Sequence, residues 1–172
     1  GSRLRVIGGV RVERAQLQVL SSATTGVTSY SNLDNTDLLP SLTANVSIGE
    51  SSIVRLSASQ TVSRPEYREL SPVTYRDVVA QRDIFGNPDL KRAVIRNFDA
   101  RWEWYPDAGE IMSIGLFAKH FSDPIEQVDV ATSGASRLSF INADGADNYG
   151  VELEMRKRLG DFSDVLSPVT MF

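Results

Sequence analysis

Cysteine is absent from the 172 residues, and histidine occurs once, at His120. Without cysteine there is no disulfide framework and no thiolate nucleophile, and one histidine cannot furnish the paired ligands of a structural zinc site. A basic surplus is missing too. The 18 Lys and Arg stand against 22 Asp and Glu, a formal charge of −4, which lacks the electrostatic footprint of a nucleic-acid binder. Apolar runs are only a few residues long, far short of the roughly 20 that a spanning helix requires. Strands remain free to cross a membrane, because transmembrane strands alternate apolar with polar residues and leave the mean hydropathy ordinary, here −0.18. No Met, basic stretch or apolar leader opens the chain, and Gly1-Ser2 reads as a cloning scar ahead of residues 3–172. Phosphate-loop, G-x-S-x-G and G-x-G-x-x-G patterns do not occur, so enzyme is the weakest class, and neither a catalytic residue nor a cofactor is expected.

What the chain carries instead is period two. Leu4, Val6, Val10 and Val12 share one parity while Arg3, Arg5, Arg11 and Glu13 share the other, the alternation of a strand with one dry face. Over 38–48, Leu38, Leu42, Ala44, Val46 and Ile48 interleave with Ser41, Thr43, Asn45 and Ser47, and Pro40 suggests an edge or a strand end. Val54, Leu56, Ala58 and Val62 oppose Arg55, Ser57, Ser59 and Thr61 over 53–62. The clearest segment is 95–105, where Phe98, Ala100, Trp102 and Trp104 alternate with Asn97, Asp99, Arg101 and Glu103. Met112, Ile114, Leu116 and Ala118 oppose Ser113, Gly115 and Lys119, and Tyr149, Val151, Leu153 and Met155 oppose Asn148, Glu152, Glu154 and Arg156. A further strand is expected to begin near Val165 and run toward Phe172. The fold class is therefore all-β, an antiparallel up-and-down meander of about six to seven strands.

Connections alternate between long and short. The long ones, 19–37, 63–94 and 122–146, fall at one end of such a meander, and the short ones, 49–51, 106–109 and 159–164, fall at the other. The last long connection has room for a hairpin built on 125–130 and 136–141. Short periplasmic turns and long extracellular loops are the pattern of an outer-membrane barrel, and a soluble sandwich has no need of it. Trp102, Trp104 and Tyr105 lie just before a short turn. In a barrel they form an aromatic girdle at the periplasmic interface, and in a sandwich they form core. Read as a barrel, the apolar faces meet lipid and the Arg, Glu, Ser and Asn faces line a wet lumen.

Ser59-Gln60-Thr61-Val62-Ser63-Arg64-Pro65, then Glu69-Leu70-Ser71-Pro72, then Gly86-Asn87-Pro88-Asp89-Leu90-Lys91, resemble the barrel of TonB-dependent outer-membrane receptors. Further along, Arg101-Trp102-Glu103-Trp104-Tyr105-Pro106, Phe117-Ala118-Lys119 with Pro124-Ile125-Glu126, and Tyr149-Gly150-Val151-Glu152-Leu153-Glu154 are similar to later strands of that family. The resemblance spans about residues 38–160. One departure is Arg92, which stands where many members carry Pro after G-N-P-D-L-K. The resemblance implies a barrel of about 22 strands filled by a plug, of which residues 3–172 are a partial wall with the plug domain and the energy-coupling N-terminal box outside them. It also implies a bacterial outer-membrane location and import of a scarce nutrient such as a metal chelate. Its implied partners are the TonB complex, reached through the plug and N-terminal segment, the nutrient itself and outer-membrane lipid.

Candidate ligand-contact residues are Arg64, Tyr67, Arg68 and Arg76 in the large loop, because Arg offers a planar bidentate fork to carboxylate or phosphate. The same loop charges serve equally as solvated or loop-packing ion pairs. On the lumen parity the candidates are Asp99, Arg101, Glu103, Glu152 and Glu154. Asn142-Ala143-Asp144-Gly145-Ala146-Asp147-Asn148 groups oxygen ligands but lacks the twelve-position calcium-loop pattern, so it reads as a polar turn, as does Asp34-Asn35-Thr36-Asp37. No metal ligand is assigned, and His120 reads as an interfacial residue. Two other functions fit the alternation: a soluble β-sandwich binding module and a passive outer-membrane pore.

Overall fold

In the computed structural model, which describes residues 3–22, 28–79, 82–132, 135–158 and 170–171, alternation becomes strand wherever neighbours share a parity. The strands are β1 Leu4–Ser22, β2 Thr28–Ile48, β3 Ser52–Ser63, β4 Tyr75–Asp77, β5 Arg82–Ile84, β6 Ala93–Trp104, β7 Ile111–Ser122, β8 Ile125–Thr132, β9 Ala135–Asn142, β10 Gly145–Arg158 and β11 Thr170–Met171, and the one-turn helix α1 is Tyr67–Leu70. A seven-stranded sheet runs in the order β1-β2-β3-β6-β7-β10-β11, and a four-stranded sheet runs β4-β5-β9-β8. All pairings in the large sheet are antiparallel, as in an up-and-down meander. The large sheet is an open wall and does not close on itself.

Cross-strand register explains why the pattern selects this sheet. Leu4, Val46, Val54, Trp102, Ile114 and Leu153 stand in one row across the wall. Val6, Ala44, Leu56, Ala100, Leu116 and Val151 form the next. Between them, on the opposite face, run Arg5, Asn45, Arg55, Arg101, Gly115 and Glu152. A slip of one residue on any strand would drive polar or charged residues into an apolar row, so the register is fixed by the pattern. The apolar face stays exposed, with Leu116 at 54% and Leu153 at 77%, and among the described residues no second layer covers it. A sandwich would bury those residues. The outward apolar band on β2 runs from Ile48 to Leu38, a span that at about 3.4 Å per residue and about 45° of tilt is about 24 Å tall, the height of the lipid-facing band of an outer-membrane barrel.

The connection expected at 19–37 is strand instead: β1 and β2 remain paired out to Ser22 and Thr28, and the tip at 23–27 lies outside the described residues. The pattern there was hard to read because the apolar parity changes face. Beyond Val12 and Leu38 the outward positions become Arg14, Gln16, Asp34 and Asn32, as they must where a strand leaves lipid for water. The inward positions become Leu17, Val19 and Leu33, which pack on the loops. Asp34-Asn35-Thr36-Asp37, read as a turn, is therefore strand. Pro40 sits one residue beyond the last pairing of β2 with β3, which is Ser41 with Ser59, where β2 continues beside β1 alone. Its missing N–H leaves no ladder position of β3 unserved.

The hairpin expected within 122–146 is β8 with β9. Short turns at the opposite end contain Gly49 and Gly109, at φ of 68° and 84°, a left-handed region that glycine enters without a Cβ clash. Most of the strand expected over 165–172 and the turn at 159–164 lie outside the described residues; Thr170 and Met171 pair with Arg158 and Lys157. The buried apolar cluster is not in the wall. It consists of Leu70, Ile84, Leu90 and Phe140, with Leu17, Leu33, Tyr75 and Leu138 against it, and it sits at the long-loop end, where the β3–β6 connection, the β8–β9 hairpin and the β1–β2 ribbon meet.

Candidate functional site

The inward face of the wall carries a chain of charges toward its short-turn end. Register puts Arg55 opposite Arg101, and Glu103 one pair further on. The Glu103 carboxylate is 7% exposed and accepts hydrogen bonds from Arg55 Nε at 3.0 Å, Arg101 Nε at 3.1 Å and Tyr105 Oη at 2.8 Å. Arg101 also donates from Nη2 to Glu154 Oε2 at 2.5 Å. Two guanidiniums over one buried carboxylate satisfy its lone pairs and remove most of the penalty of burying it. The Tyr105 phenol is held above its ordinary pKa, first by its bond to Glu103 and then by burial. This corrects the girdle: Trp102 and Trp104 face outward, with Trp102 Nε1 donating to Ser52 Oγ at 2.7 Å, whereas Tyr105 turns inward.

Arg101, Glu103 and Glu154 are thus brought together, and Arg55, Tyr105 and Asn45, the last accepting from Arg55 Nη1 at 3.5 Å, join residues whose type alone had not singled them out. Asp99 stands apart and accepts from Ser57 Oγ at 3.2 Å. It shares with Arg101, Phe117, Lys119 and Glu152 the rim of a shallow depression opened by Gly115, which lies opposite Glu152 in register. Mixed carboxylates and cations around a wet depression can hold a polar ligand in passing through several weak contacts. Among the described residues no group of three or more His, Cys, Asp or Glu could hold a metal ion.

The loop candidates separate. Arg64 leaves β3 and turns inward, where Nη1 meets Glu13 Oε1 at 2.6 Å and Nη2 meets Asp37 Oδ2 at 2.8 Å. Arg92, at the other root of the same loop, pairs with the second oxygen of Asp37. Asp37 is 3% exposed, so one carboxylate of the β1–β2 ribbon holds both roots of the β3–β6 connection. Arg68 lies over the Tyr75 ring, 5.8 Å from its centroid, and Arg76 is 3.8 Å from Asp83. Tyr67 is 66% exposed.

G-N-P-D-L-K is a fastening. Gly86 N–H donates to Ser71 O at 2.8 Å and Asn87 N–H to Glu69 O at 2.6 Å. A Cβ on Gly86 would lie 2.5 Å from the carbonyl oxygens of Arg68, Glu69 and Ser71. Asn87 Nδ2 donates to Phe140 O at 3.0 Å, Ser31 Oγ donates to Pro88 O at 2.8 Å, and Leu90 enters the buried cluster. Asn142, the head of the stretch read as a polar turn, receives the Lys91 N–H at 2.8 Å and donates to Lys91 O and Asp123 O. His120 faces outward, its Nδ1 2.8 Å from Asp147 Oδ1.

A wall dry on its outer face, charged on its inner face and carrying cross-braced loops at one end is a section of an outer-membrane receptor barrel. The model of the TonB dependent receptor-like β-barrel family matches residues 1–170, and the chain belongs to that family. Its members lie in the bacterial outer membrane, and the family is one of receptors and transporters. A comparison with curated proteins finds no match. Among solved structures the chain is similar to a double mutant of the Serratia marcescens hemophore receptor HasR in complex with its hemophore HasA and heme, at TM-score 0.65 and 13% identity over 89% of this chain and 29% of that one. It is similar to the siderophore receptor PirA of Pseudomonas aeruginosa, at TM-score 0.61 and 18% identity over 89% and 31%. The copper transporter OprC gives TM-score 0.64 and 20% identity over 91% and 25%. At such identities the likeness is one of fold, and the chain spans under a third of each of these proteins.

Proposed function

We propose that this chain is wall and surface loops of an active outer-membrane transporter that captures a nutrient such as a metal chelate and imports it with TonB-coupled energy. The observation that carries this reading is the pairing of a lipid-ready outer face with loops fastened over a charged inner face: Asp37, Glu13, Arg64 and Arg92 at the loop roots and Arg55, Arg101, Glu103 and Glu154 below. Fastened loops suit capture, because a preorganised binding surface loses less entropy when a ligand docks. Tyr67, Arg68 and Arg76 are the surface contacts in this proposal, and Asp99, Arg101 and Glu152 line the route inward. The parent receptor holds a plug inside the barrel, through which TonB acts, and no covalent chemistry takes place. Uptake of haem, copper and a labelled ferric siderophore by cells carrying the full-length receptor, with and without a functional TonB, tests the reading. Uptake of one of them that stops without TonB is the expected result. Equal uptake in both backgrounds would make the parent a passive pore, and uptake of none would remove metal chelates as its cargo.

A further inference from the structure

The outward face changes character along one row. Gln60, Arg96, His120 and Asp147 stand side by side across β3, β6, β7 and β10. They lie immediately beyond Ala58, Phe98, Ala118 and Tyr149 on the loop side. This row is polar where the rows beneath it are apolar, and beyond it stand the half-buried Val62 and Val94 with Ser122, so hydrocarbon begins to give way to headgroups here on the loop-bearing side of the membrane. A groove of about 290 Å³ crosses the boundary. It exists because Ala58 is small while its row neighbours Leu42 and Phe98 are large, and Pro40, Gln60 and Arg96 complete its upper end.

The polar residues of this row differ in what they have left to offer. Asp147 is engaged by His120 Nδ1 at 2.8 Å. Gln60 Nε2 donates to Leu38 O at 2.9 Å. Arg96 is exposed and makes no ion pair or side-chain hydrogen bond among the described residues. A guanidinium at the upper end of an apolar groove, open toward lipid, has the charge and the planar fork for a phosphate group.

We propose that this groove binds a lipid whose headgroup carries phosphate, with an acyl chain over Ala58 between Leu42 and Phe98 and the phosphate on Arg96. The site lies on the outside of the wall and is separate from the ligand route inside it. Lipid held there anchors β2, β3 and β6 at a fixed depth, because the headgroup engages the polar row and the chain engages the apolar rows beneath it.

The test uses the full-length receptor in neutral detergent, with retention of dioleoyl phosphatidic acid read by native mass spectrometry. Dioleoylglycerol, which has the same chains and no phosphate, is the control, and inorganic phosphate is the competitor. Loss of a charge-assisted contact lowers retention by Arg96→Gln about tenfold or more, with Arg96→Lys intermediate. Ala58→Phe fills the groove and lowers retention while Arg96 is intact. A heat-modifiable gel shift confirms that each variant is folded, and both substitutions lie on an exposed face. Retention unchanged in Arg96→Gln or in Ala58→Phe would overturn the proposal, as would equal retention of dioleoylglycerol. Displacement of the lipid by millimolar inorganic phosphate would make the site one for free anions and overturn it equally.

Discussion

Asp37 and Gly86 show most directly how single residues fix the loop end. Asp37 is nearly buried and receives Arg64 and Arg92 on its two oxygens. Asp37→Asn leaves two guanidiniums facing an uncharged amide, with Glu13 the carboxylate that remains beside Arg64, at a cost of roughly 3 kcal/mol of local stability. Amide hydrogen exchange should speed up over 64–92 and stay unchanged in β6 and β7. Equal protection in both proteins would show that the loop roots are held by the apolar cluster and not by this carboxylate. Gly86→Ala pushes a methyl against three backbone oxygens that cannot turn aside. A destabilisation of about 3 kcal/mol is expected, seen as earlier thermal unfolding and faster proteolysis at 64–92. The sequence offered Arg64 as a candidate by residue type, but its partners are 51 and 27 residues away, and only the sheet register brings them to it. Arg92 was visible as a departure from the Pro common in the family, and its pairing with Asp37 is what that departure does.

Strands as elements obey one rule in lipid and another in water. Where β1 and β2 lie in the apolar band, even positions point outward and are apolar; past Val12 and Leu38 the outward positions turn polar and Leu17, Val19 and Leu33 turn inward. Period two was legible over 95–105 and 148–157 because one face stays dry without a break from Phe98 to Trp104 and from Tyr149 to Met155. It was not legible over 19–37, where two patterns of opposite parity join in one strand and each cancels the signal of the other. The rule has a direct check. Leu116→Arg, in the middle of an apolar row, should cost about 2–4 kcal/mol, whereas Thr43→Arg, in the inward row containing Ser57 and Asp99, should be close to neutral. Urea titration of the full-length receptor in micelles measures both, and equal costs would contradict the assignment of faces.

At the scale of the whole molecule, the wall has no interior of its own. Its apolar rows remain open, and the buried cluster belongs to the loops. In plain buffer the 172-residue chain should therefore scatter as large assemblies, since exposed apolar faces and strand edges recruit further copies. In detergent micelles it should become monodisperse and β-rich by far-UV circular dichroism. A cooperative monomer in plain buffer would mean that the apolar faces pack on each other. The meander, the long connections at 63–94 and 122–146 and the family were legible in the sequence, because each depends on spacing along the chain. The inner charge chain was legible only in part. Arg101, Glu103 and Glu154 were placed on the right face, but Arg55 and Tyr105 join them through register and through the position of a turn.

The fastening at the loop roots also has an evolutionary meaning. Val78 and Val79, at the far end of the β3–β6 connection, are 80% and 96% exposed, while Gly86, Asn87 and Leu90 in the same connection are locked into backbone contacts and the buried cluster. Substitutions at the tip meet solvent, and substitutions at the roots meet carbonyl oxygens. Such a loop can drift rapidly at the cell surface, changing what it recognises or which antibodies recognise it, while the tether that returns the chain to the wall stays the same.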